Sequence, residues 1–174
     1  QNFDTNRNGI IDNWELRVVT IWAGGASEVG GAVRWPSPSP APLTNSSVRF
    51  GGQVGVFSEY APLTTIAHEL SHLFGTEDVY GVWAGANYGA TLMGAISESA
   101  ESRRGIHLDP WHKMQFGWTE PRLVPIDSTS SSCHRISLAH QIGSADQPPL
   151  LIYDPKVGTD RYFLLEYRRP DLAD

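Results

Sequence analysis

Apolar residues recur at steps of three and four between Leu63 and Phe74, a spacing that gives an α-helix one apolar face. His68 and His72 lie four residues apart, so on such a helix they project from the same side, one turn from each other. Two imidazoles in that relation can hold one Zn²⁺ through their ring nitrogens. Glu69 is rotated from His68 by about 100° and reaches a metal-bound water rather than the metal. The segment therefore predicts a zinc-binding helix with a carboxylate beside the metal.

The residues after this helix are expected to contribute a third ligand. Gly75 suits the left-handed turn that follows a helix end, and Asp78 comes three residues later. A glycine bend at that point brings a carboxylate back towards the histidines, which gives three protein ligands and an open position for water. Glu77 is the alternative third ligand, but the spacing favours Asp78. A helix that merely exposes two histidines is the competing interpretation, and a glycine and a carboxylate at this spacing argue against it.

A methionine turn is predicted further along the chain. Met93 follows fifteen residues after Asp78, within the segment Thr91-Leu92-Met93-Gly94. The metzincins, zinc peptidases with a glycine-bent zinc motif, carry a methionine turn beneath the metal. More narrowly, the chain resembles the immune inhibitor A family of secreted bacterial metallopeptidases. The segments that carry this resemblance are, in order, residues 3–12, 68–80, 92–94, 109–118 and 162–168.

The resemblance implies an α+β fold of the zincin or metzincin type. Such a fold has a mixed sheet, an active-site helix that carries H-E-x-x-H, a methionine turn and a small β-rich C-terminal portion. It implies a secreted, extracellular zinc endopeptidase that hydrolyses internal bonds of protein or peptide substrates, with Glu69 as the general base. Met93 is then an apolar floor under the imidazoles and not a ligand.

The resemblance also implies a domain organisation. Residues 1–125 are expected to form the metallopeptidase catalytic domain, without its first strand and helix. Residues 126–174 are expected to form a β-rich C-terminal portion that begins a further domain. In the family pattern an inhibitory propeptide and further C-terminal domains accompany these parts, as partners that this sequence does not include.

Two finer roles follow from the same resemblance. Gly52–Phe57 is expected to be an edge strand before the metal helix, where it pairs with an extended substrate through backbone hydrogen bonds. Tyr80 is a candidate donor to the developing oxyanion, with a packing role as the alternative.

His107 and His112 are interpreted as capping or packing residues rather than as metal ligands.

A twelve-residue segment near the start of the chain fits a calcium-binding loop. It places oxygen-bearing side chains at positions 1, 3, 5, 9 and 12, a glycine at position 6 and a backbone carbonyl ligand at position 7. The alternative is an Asn- and Gly-rich turn that binds no calcium. Two neutral asparagines lower the charge of the site and predict a weak affinity of the extracellular type. The predicted Ca²⁺ ligands are Asp4, Asn6, Asn8, Ile10 through its carbonyl, Asp12 and Glu15.

Composition excludes several kinds of function. The 174 residues are 40% hydrophobic and carry a net charge of −6, without a basic run or a basic–aromatic patch, which argues against nucleic acid and anionic membrane surfaces as partners. No apolar run approaches the roughly 18 residues that a membrane span requires. Cys133 is the only cysteine, so the chain has no internal disulfide.

Three other functions remain compatible with these motifs. The first is a zinc hydrolase that acts on a non-peptide substrate. The second is a calcium-stabilised binding or structural fragment with an inactive zinc site. The third is an incomplete fragment that keeps the ligands but has no activity. Glu69 argues against the second, because a purely structural zinc site has no use for a base beside its ligands.

Overall fold

The computed structural model describes residues 3–23, 31–34, 40–44, 46–79, 91–94, 107–126, 132–136, 148–158 and 161–168. Within these residues the chain forms nine short strands, in three three-stranded sheets, and two helices. Neither helix is long and apolar enough to cross a lipid bilayer. The elements are β1 (Ile10–Ile11), β2 (Val18–Trp22), β3 (Gly31–Arg34), β4 (Ala41–Pro42), β5 (Arg49–Phe50), β6 (Val54–Ser58), α1 (Leu63–Leu73), α2 (Pro110–Gln115), β7 (Arg122–Pro125), β8 (Leu150–Tyr153) and β9 (Tyr162–Leu165).

The sheet that leads into helix α1 consists of β2, β6 and β3, in that order. β2 pairs with β6 in parallel, with Val18 opposite Val54, and β3 pairs antiparallel with the other side of β6, with Gly31 opposite Phe57. β6 is therefore the central strand, and the prediction that Gly52–Phe57 forms an edge strand is wrong. Its backbone groups are hydrogen-bonded on both sides, so the edges of this sheet, in the part of the chain that the structure describes, are β2 and β3.

Helix α1 follows β6 closely and packs against β6 and β3. Pro62 is its N-cap residue, with φ of −57°. Proline has no N–H, but no hydrogen bond is lost, because an N–H at the start of a helix has no carbonyl partner within the helix. Gly55 lets the helix approach the sheet, because a Cβ there would lie 3.3 Å from Leu73 Cδ1 and 3.1 Å from Phe57 Cε2. Leu73 and Phe57 are both buried at this contact.

The buried face of α1 differs from the apolar face that the sequence predicts. Leu63 and Phe74, at the two ends of the predicted apolar face, are 75% and 61% exposed. The histidine-bearing face points inward instead, because the ring nitrogens of His68 and His72 form hydrogen bonds with backbone carbonyls of other segments. Polar contacts therefore set the rotation of this helix as much as apolar burial does. Its buried residues are Thr64, His68, Ser71, His72 and Leu73.

The third sheet joins segments on both sides of the predicted domain boundary. β7 pairs in parallel with β8, and β9 pairs antiparallel with β8, in the order β7-β8-β9. β7 ends at Pro125, whereas β8 and β9 lie in the C-terminal portion. Glu166 ties this sheet to α2, because its carboxylate accepts from Lys113 Nζ at 2.5 Å and from Arg168 Nε at 2.7 Å. The pairing therefore continues across the boundary between residues 125 and 126.

Helix α2 is capped by Asp109. One carboxylate oxygen, Oδ1, accepts from the N–H groups of Trp111 and His112, both at 3.1 Å, and Pro110 occupies the first helical position. Burial alone would raise the pKa of the Asp109 carboxyl. The hydrogen bonds from His112 and from the Thr91 hydroxyl outweigh burial and hold the pKa well below its ordinary value of 3.8.

We expect Asp109 to make stability sensitive to acid. A carboxylate whose pKa is lower in the folded than in the unfolded state stabilises the fold above the unfolded pKa, and the contribution is lost as the pH falls through the folded pKa. At neutral pH, Asp109→Asn should therefore lower the free energy of unfolding by about 1–3 kcal/mol. Below about pH 4 this difference should shrink. Urea denaturation of both metal-free proteins between about pH 7 and pH 3 measures it, and a difference that stays constant with pH would contradict the assignment.

Candidate metal centre

Two buried histidines of α1 converge on one carboxylate oxygen. His68 and His72 are 4% and 5% exposed. The Nε2 atoms of His68 and His72 lie 3.1 Å and 3.3 Å from Asp78 Oδ1. The three ligand atoms all lie within 4.8 Å of one another, and Asp78 itself is exposed. The described structure thus brings together the three residues that the sequence predicts as zinc ligands, while Glu77 is exposed and outside the group.

The other nitrogen of each ring fixes which atom faces the group. His68 Nδ1 lies 2.6 Å from the carbonyl oxygen of Leu92, and His72 Nδ1 lies 2.9 Å from the carbonyl oxygen of Thr76. A carbonyl only accepts hydrogen bonds, so Nδ1 is the donor in both rings. Nε2 is therefore the nitrogen of each ring that faces Asp78. This is the orientation of a metal-binding histidine, whose second nitrogen donates to a carbonyl or a carboxylate.

The arrangement places three acceptors face to face. Two Nε2 lone pairs and an ionised carboxylate oxygen repel one another unless a cation or a proton lies among them. In a tetrahedral zinc site, metal–ligand distances of about 2.0–2.2 Å give ligand–ligand distances of about 3.3–3.6 Å. The two nitrogen–oxygen distances, 3.1 and 3.3 Å, are close to that value. The donor set and these two distances therefore fit a small divalent cation with an affinity for nitrogen and oxygen.

A helix-terminating turn carries Asp78 back towards the histidines. The Gly75 N–H donates to the carbonyl of His72 at 2.9 Å, and the Thr76 N–H donates to the carbonyl of Ser71 at 3.3 Å. This pair of bonds, with Gly75 in the left-handed region at φ of 97°, is a Schellman motif. The chain reverses there, so the Thr76 carbonyl can accept from His72 and Asp78 can reach the Nε2 atoms. Gly75 thus has the conformation that the sequence predicts for it.

Met93 is fully buried next to the turn that leads to Asp78. The Thr76 hydroxyl donates to Met93 Sδ at 3.5 Å, and the Val79 N–H donates to the Met93 carbonyl at 3.0 Å. The sulfur therefore contacts the turn that carries the carboxylate, and it is not part of the ligand group. The residues that form this small core are Leu92, Met93 and Leu108, with Ala67, Val79 and Phe116 packed against them.

Glu69 lies next to His68 on α1 and is half-buried. It is not a member of the ligand group, which agrees with a role beside the metal rather than on it. Tyr80, the predicted oxyanion donor, lies outside the described residues, and its role stays a prediction.

Backbone N–H groups organise the predicted calcium loop. Buried Asp4 accepts from the N–H groups of Asn8 and Gly9 at 3.1 and 3.0 Å. The side-chain oxygens of Asn6 and Asn8 accept from the N–H groups of Asn8 and Ile10 at 2.9 and 2.8 Å. Gly9 has φ of 83°, the left-handed conformation that the sharp turn requires. The side-chain oxygens of Asp4, Asn6 and Asn8 therefore face backbone N–H groups of the same loop.

Glu15 closes this loop. Its Oε1 accepts from the N–H groups of Asn6 at 3.0 Å and Thr5 at 2.7 Å, and its Oε2 accepts from the Asp12 N–H at 3.2 Å. The bond from the Asn6 backbone, followed by that from the Thr5 hydroxyl, lowers the pKa of Glu15. In the part of the chain that the structure describes, Asp4, Asp12 and Glu15 do not form a second compact group like that of the histidines. Calcium binding by the loop stays a prediction.

Two supporting groups at the metal centre cannot be recognised from side-chain identity. The carbonyls of Leu92 and Thr76 orient the two rings, and every residue in the chain carries such a carbonyl.

His112 is predicted to be a capping or packing residue. It is fully buried and donates through Nδ1 to Asp109 Oδ2 at 2.7 Å.

The described residues thus define a protein in which two buried histidines and one exposed carboxylate form a group that is suited to a metal ion. No family model, no curated protein and no solved structure matches this chain. A function must therefore be inferred from the chemistry of the group and from the motifs around it.

Proposed function

We propose that this protein is a zinc-dependent endopeptidase that hydrolyses internal peptide bonds. The observation that carries the proposal is the convergence of His68 Nε2 and His72 Nε2 on Asp78 Oδ1, with both Nδ1 atoms donating to carbonyls. Three protein ligands and an open fourth position are typical of catalytic rather than structural zinc sites. Glu69, one residue after a ligand, supplies the carboxylate that such chemistry needs as a base.

The proposed roles divide between the metal and the chain. Bound zinc lowers the pKa of a water ligand and polarises the substrate carbonyl. Glu69 accepts a proton from the attacking water and delivers it to the nitrogen of the leaving amine. His68 and His72 hold their Nε2 lone pairs at the metal position. No covalent intermediate with the protein is needed, so no serine or cysteine nucleophile takes part.

We place the extended peptide substrate along β3. This strand lies at the edge of its sheet in the described residues and contacts α1, whereas β6 has both of its edges occupied. An extended peptide can add to an exposed edge through main-chain hydrogen bonds, with side-chain pockets setting specificity. We thus assign the pairing with substrate, which the sequence predicts for Gly52–Phe57, to Gly31–Arg34.

A secreted setting and a structural calcium ion complete the proposal. The side-chain oxygens between Asp4 and Glu15, together with the left-handed Gly9, support a calcium site in that loop. Weak, extracellular-type calcium sites suit a secreted enzyme whose substrates are proteins or peptides. An inhibitory propeptide and further C-terminal domains remain part of the proposed organisation.

Elemental analysis combined with casein cleavage tests the proposed function. We expect one zinc and one calcium per chain, and cleavage that stops with a zinc chelator and returns when zinc is restored. Zinc without cleavage would favour a binding or structural fragment with an inactive zinc site. Cleavage of an ester but not of casein would favour a zinc hydrolase for non-peptide substrates. Absence of zinc would exclude the proposed function.

A further inference from the structure

The turn Thr91–Gly94 contacts the ligand group at two points. The carbonyl of Leu92 accepts from His68 Nδ1 at 2.6 Å, and the carbonyl of Met93 accepts from the N–H of Val79, the residue after Asp78, at 3.0 Å. The position of this turn therefore sets the orientation of the His68 ring and supports the segment that carries the carboxylate. Whatever holds the turn in place also acts on the metal ligands.

Thr91 connects the turn to the cap of α2. Its hydroxyl donates to Asp109 Oδ2 at 2.8 Å and accepts from the Asp109 N–H at 3.2 Å and from the Met93 N–H at 3.4 Å. The Leu92 N–H donates to the carbonyl of His107 at 3.1 Å, which adds a second link to the segment before α2. Thr91 is itself buried, so these bonds are shielded from competing water.

The two oxygens of Asp109 have separate tasks. Oδ1 caps the helix through the N–H groups of Trp111 and His112. Oδ2 is left for Thr91 and for His112 Nδ1, which donates to it at 2.7 Å. A helix cap needs only one of these oxygens. The fully buried ring of His112 therefore serves to hold the oxygen that anchors the turn.

We infer that Thr91, Asp109 and His112 are positioning residues for the metal centre. They act through the Leu92 carbonyl, which keeps the His68 ring in the Nδ1–H form with Nε2 directed at the metal position. The inference deepens the proposed function and rests on it, because it assigns the support of the zinc ligand His68 to a network that begins 23 residues further along the chain, at Thr91. None of the three residues touches the ligand atoms directly.

Four variants separate this role from the helix cap and from general stability. Thr91→Val keeps the shape of the side chain and removes the hydroxyl, and Thr91→Ser restores the hydroxyl. Asp109→Asn keeps an oxygen for the cap but replaces the other with an amide, which cannot accept from Thr91 and His112. Leu150→Ala is the matched control, because it opens a cavity at a buried position of β8 without touching the turn.

Two measurements test the inference. In the metal-free proteins, the ring ¹⁵N chemical shifts of His68 report which nitrogen carries the hydrogen. Zinc affinity, measured by competition with a chelator, reports the ligand geometry. We expect Thr91→Val and Asp109→Asn to lose the uniform Nδ1–H form and to bind zinc about ten- to a hundredfold more weakly. Thr91→Ser and Leu150→Ala should stay within about twofold of the wild type in zinc affinity.

The outcomes separate this inference from the proposed function. Unchanged ring shifts and unchanged zinc affinity in folded Thr91→Val and Asp109→Asn would overturn the positioning role. An equal loss of affinity in Leu150→Ala would overturn it too, since the effect would then follow from stability alone. If the wild type binds zinc without cleaving peptides, the proposed function fails while both measurements still decide the positioning role. If it binds no zinc, the ring shifts alone decide it.

Discussion

Glu69→Gln is expected to abolish peptide cleavage while leaving zinc in place. The amide of glutamine has nearly the size of the carboxylate but cannot accept a proton from water at neutral pH. General-base catalysis typically contributes about 10²–10⁴-fold, so we expect kcat/KM to fall by about a thousandfold, or about 4 kcal/mol in the activation free energy. Glu69 is outside the ligand group, so zinc content by elemental analysis should not change. Cleavage of a quenched fluorescent peptide measures the rate.

Glu77→Gln is the matched control for that experiment. Glu77 is exposed, carries the same charge and precedes Asp78 in the chain, but it is outside the ligand group. We expect zinc content and kcat/KM to stay within about twofold of the wild type, in line with the small effects of surface substitutions. Loss of zinc in Glu77→Gln would show that Glu77, rather than Asp78, is the third ligand. Full activity of Glu69→Gln would exclude Glu69 as the base.

The parts of the site that local spacing determines could be predicted from the sequence. His68 and His72 are on one side of a helix because the helical repeat requires it, and α1 ends at Leu73, one residue before the predicted end at Phe74. Gly75 adopts the left-handed turn and brings Asp78 to the histidines. Each of these steps depends on residues no more than ten positions apart, where helix geometry and turn chemistry decide the outcome.

The parts that depend on distant segments could not be predicted in this way. Gly52–Phe57 was expected at a sheet edge, but β3 pairs with β6 from a segment some twenty residues earlier, and no local pattern reports that pairing. The exposure of Leu63 and Phe74 has a similar origin, since contacts with Leu92 and Thr76 orient the histidine-bearing face inward.

The support of the turn was missed for a different reason. Asp109 caps α2 through Oδ1, but a carboxylate has a second oxygen, and the partner of that oxygen is not encoded nearby. Thr91 reaches it from eighteen residues away. In the sequence, the signal is a histidine three residues after Asp109, and similar combinations also occur in ordinary cores.

Metal removal is expected to lower the stability of the protein substantially. A ligand that binds only the folded state adds about 2.7 kcal/mol to the free energy of unfolding when its free concentration is a hundredfold above Kd. We expect urea unfolding of the wild type to show this difference between a zinc-buffered solution and one with a chelator. His72→Asn should abolish most of it, because the variant lacks one of the converging Nε2 atoms.

His134→Asn separates this site from adventitious zinc binding, because His134 lies far along the chain and outside the ligand group. Zinc should raise the free energy of unfolding of His134→Asn by as much as it does for the wild type. Equal stabilisation of His72→Asn would place the zinc elsewhere. Absence of any effect in the wild type would mean that the converging atoms do not bind zinc.

The electrostatics of the ligand group explain why the metal-free protein should be less stable than the zinc-bound protein. Without a cation, nothing but a proton can join the Nε2 atoms of His68 and His72 to the Asp78 carboxylate oxygen, which lies 3.1 and 3.3 Å from them. Asp78 is exposed, so the segment after Gly75 can then open and carry the carboxylate away from the rings. Amide hydrogen exchange of Thr76 and Val79 should therefore be faster with chelator than with zinc. Exchange that is equally slow in both solutions would mean that the turn is held by its own hydrogen bonds and that the metal contributes little to it.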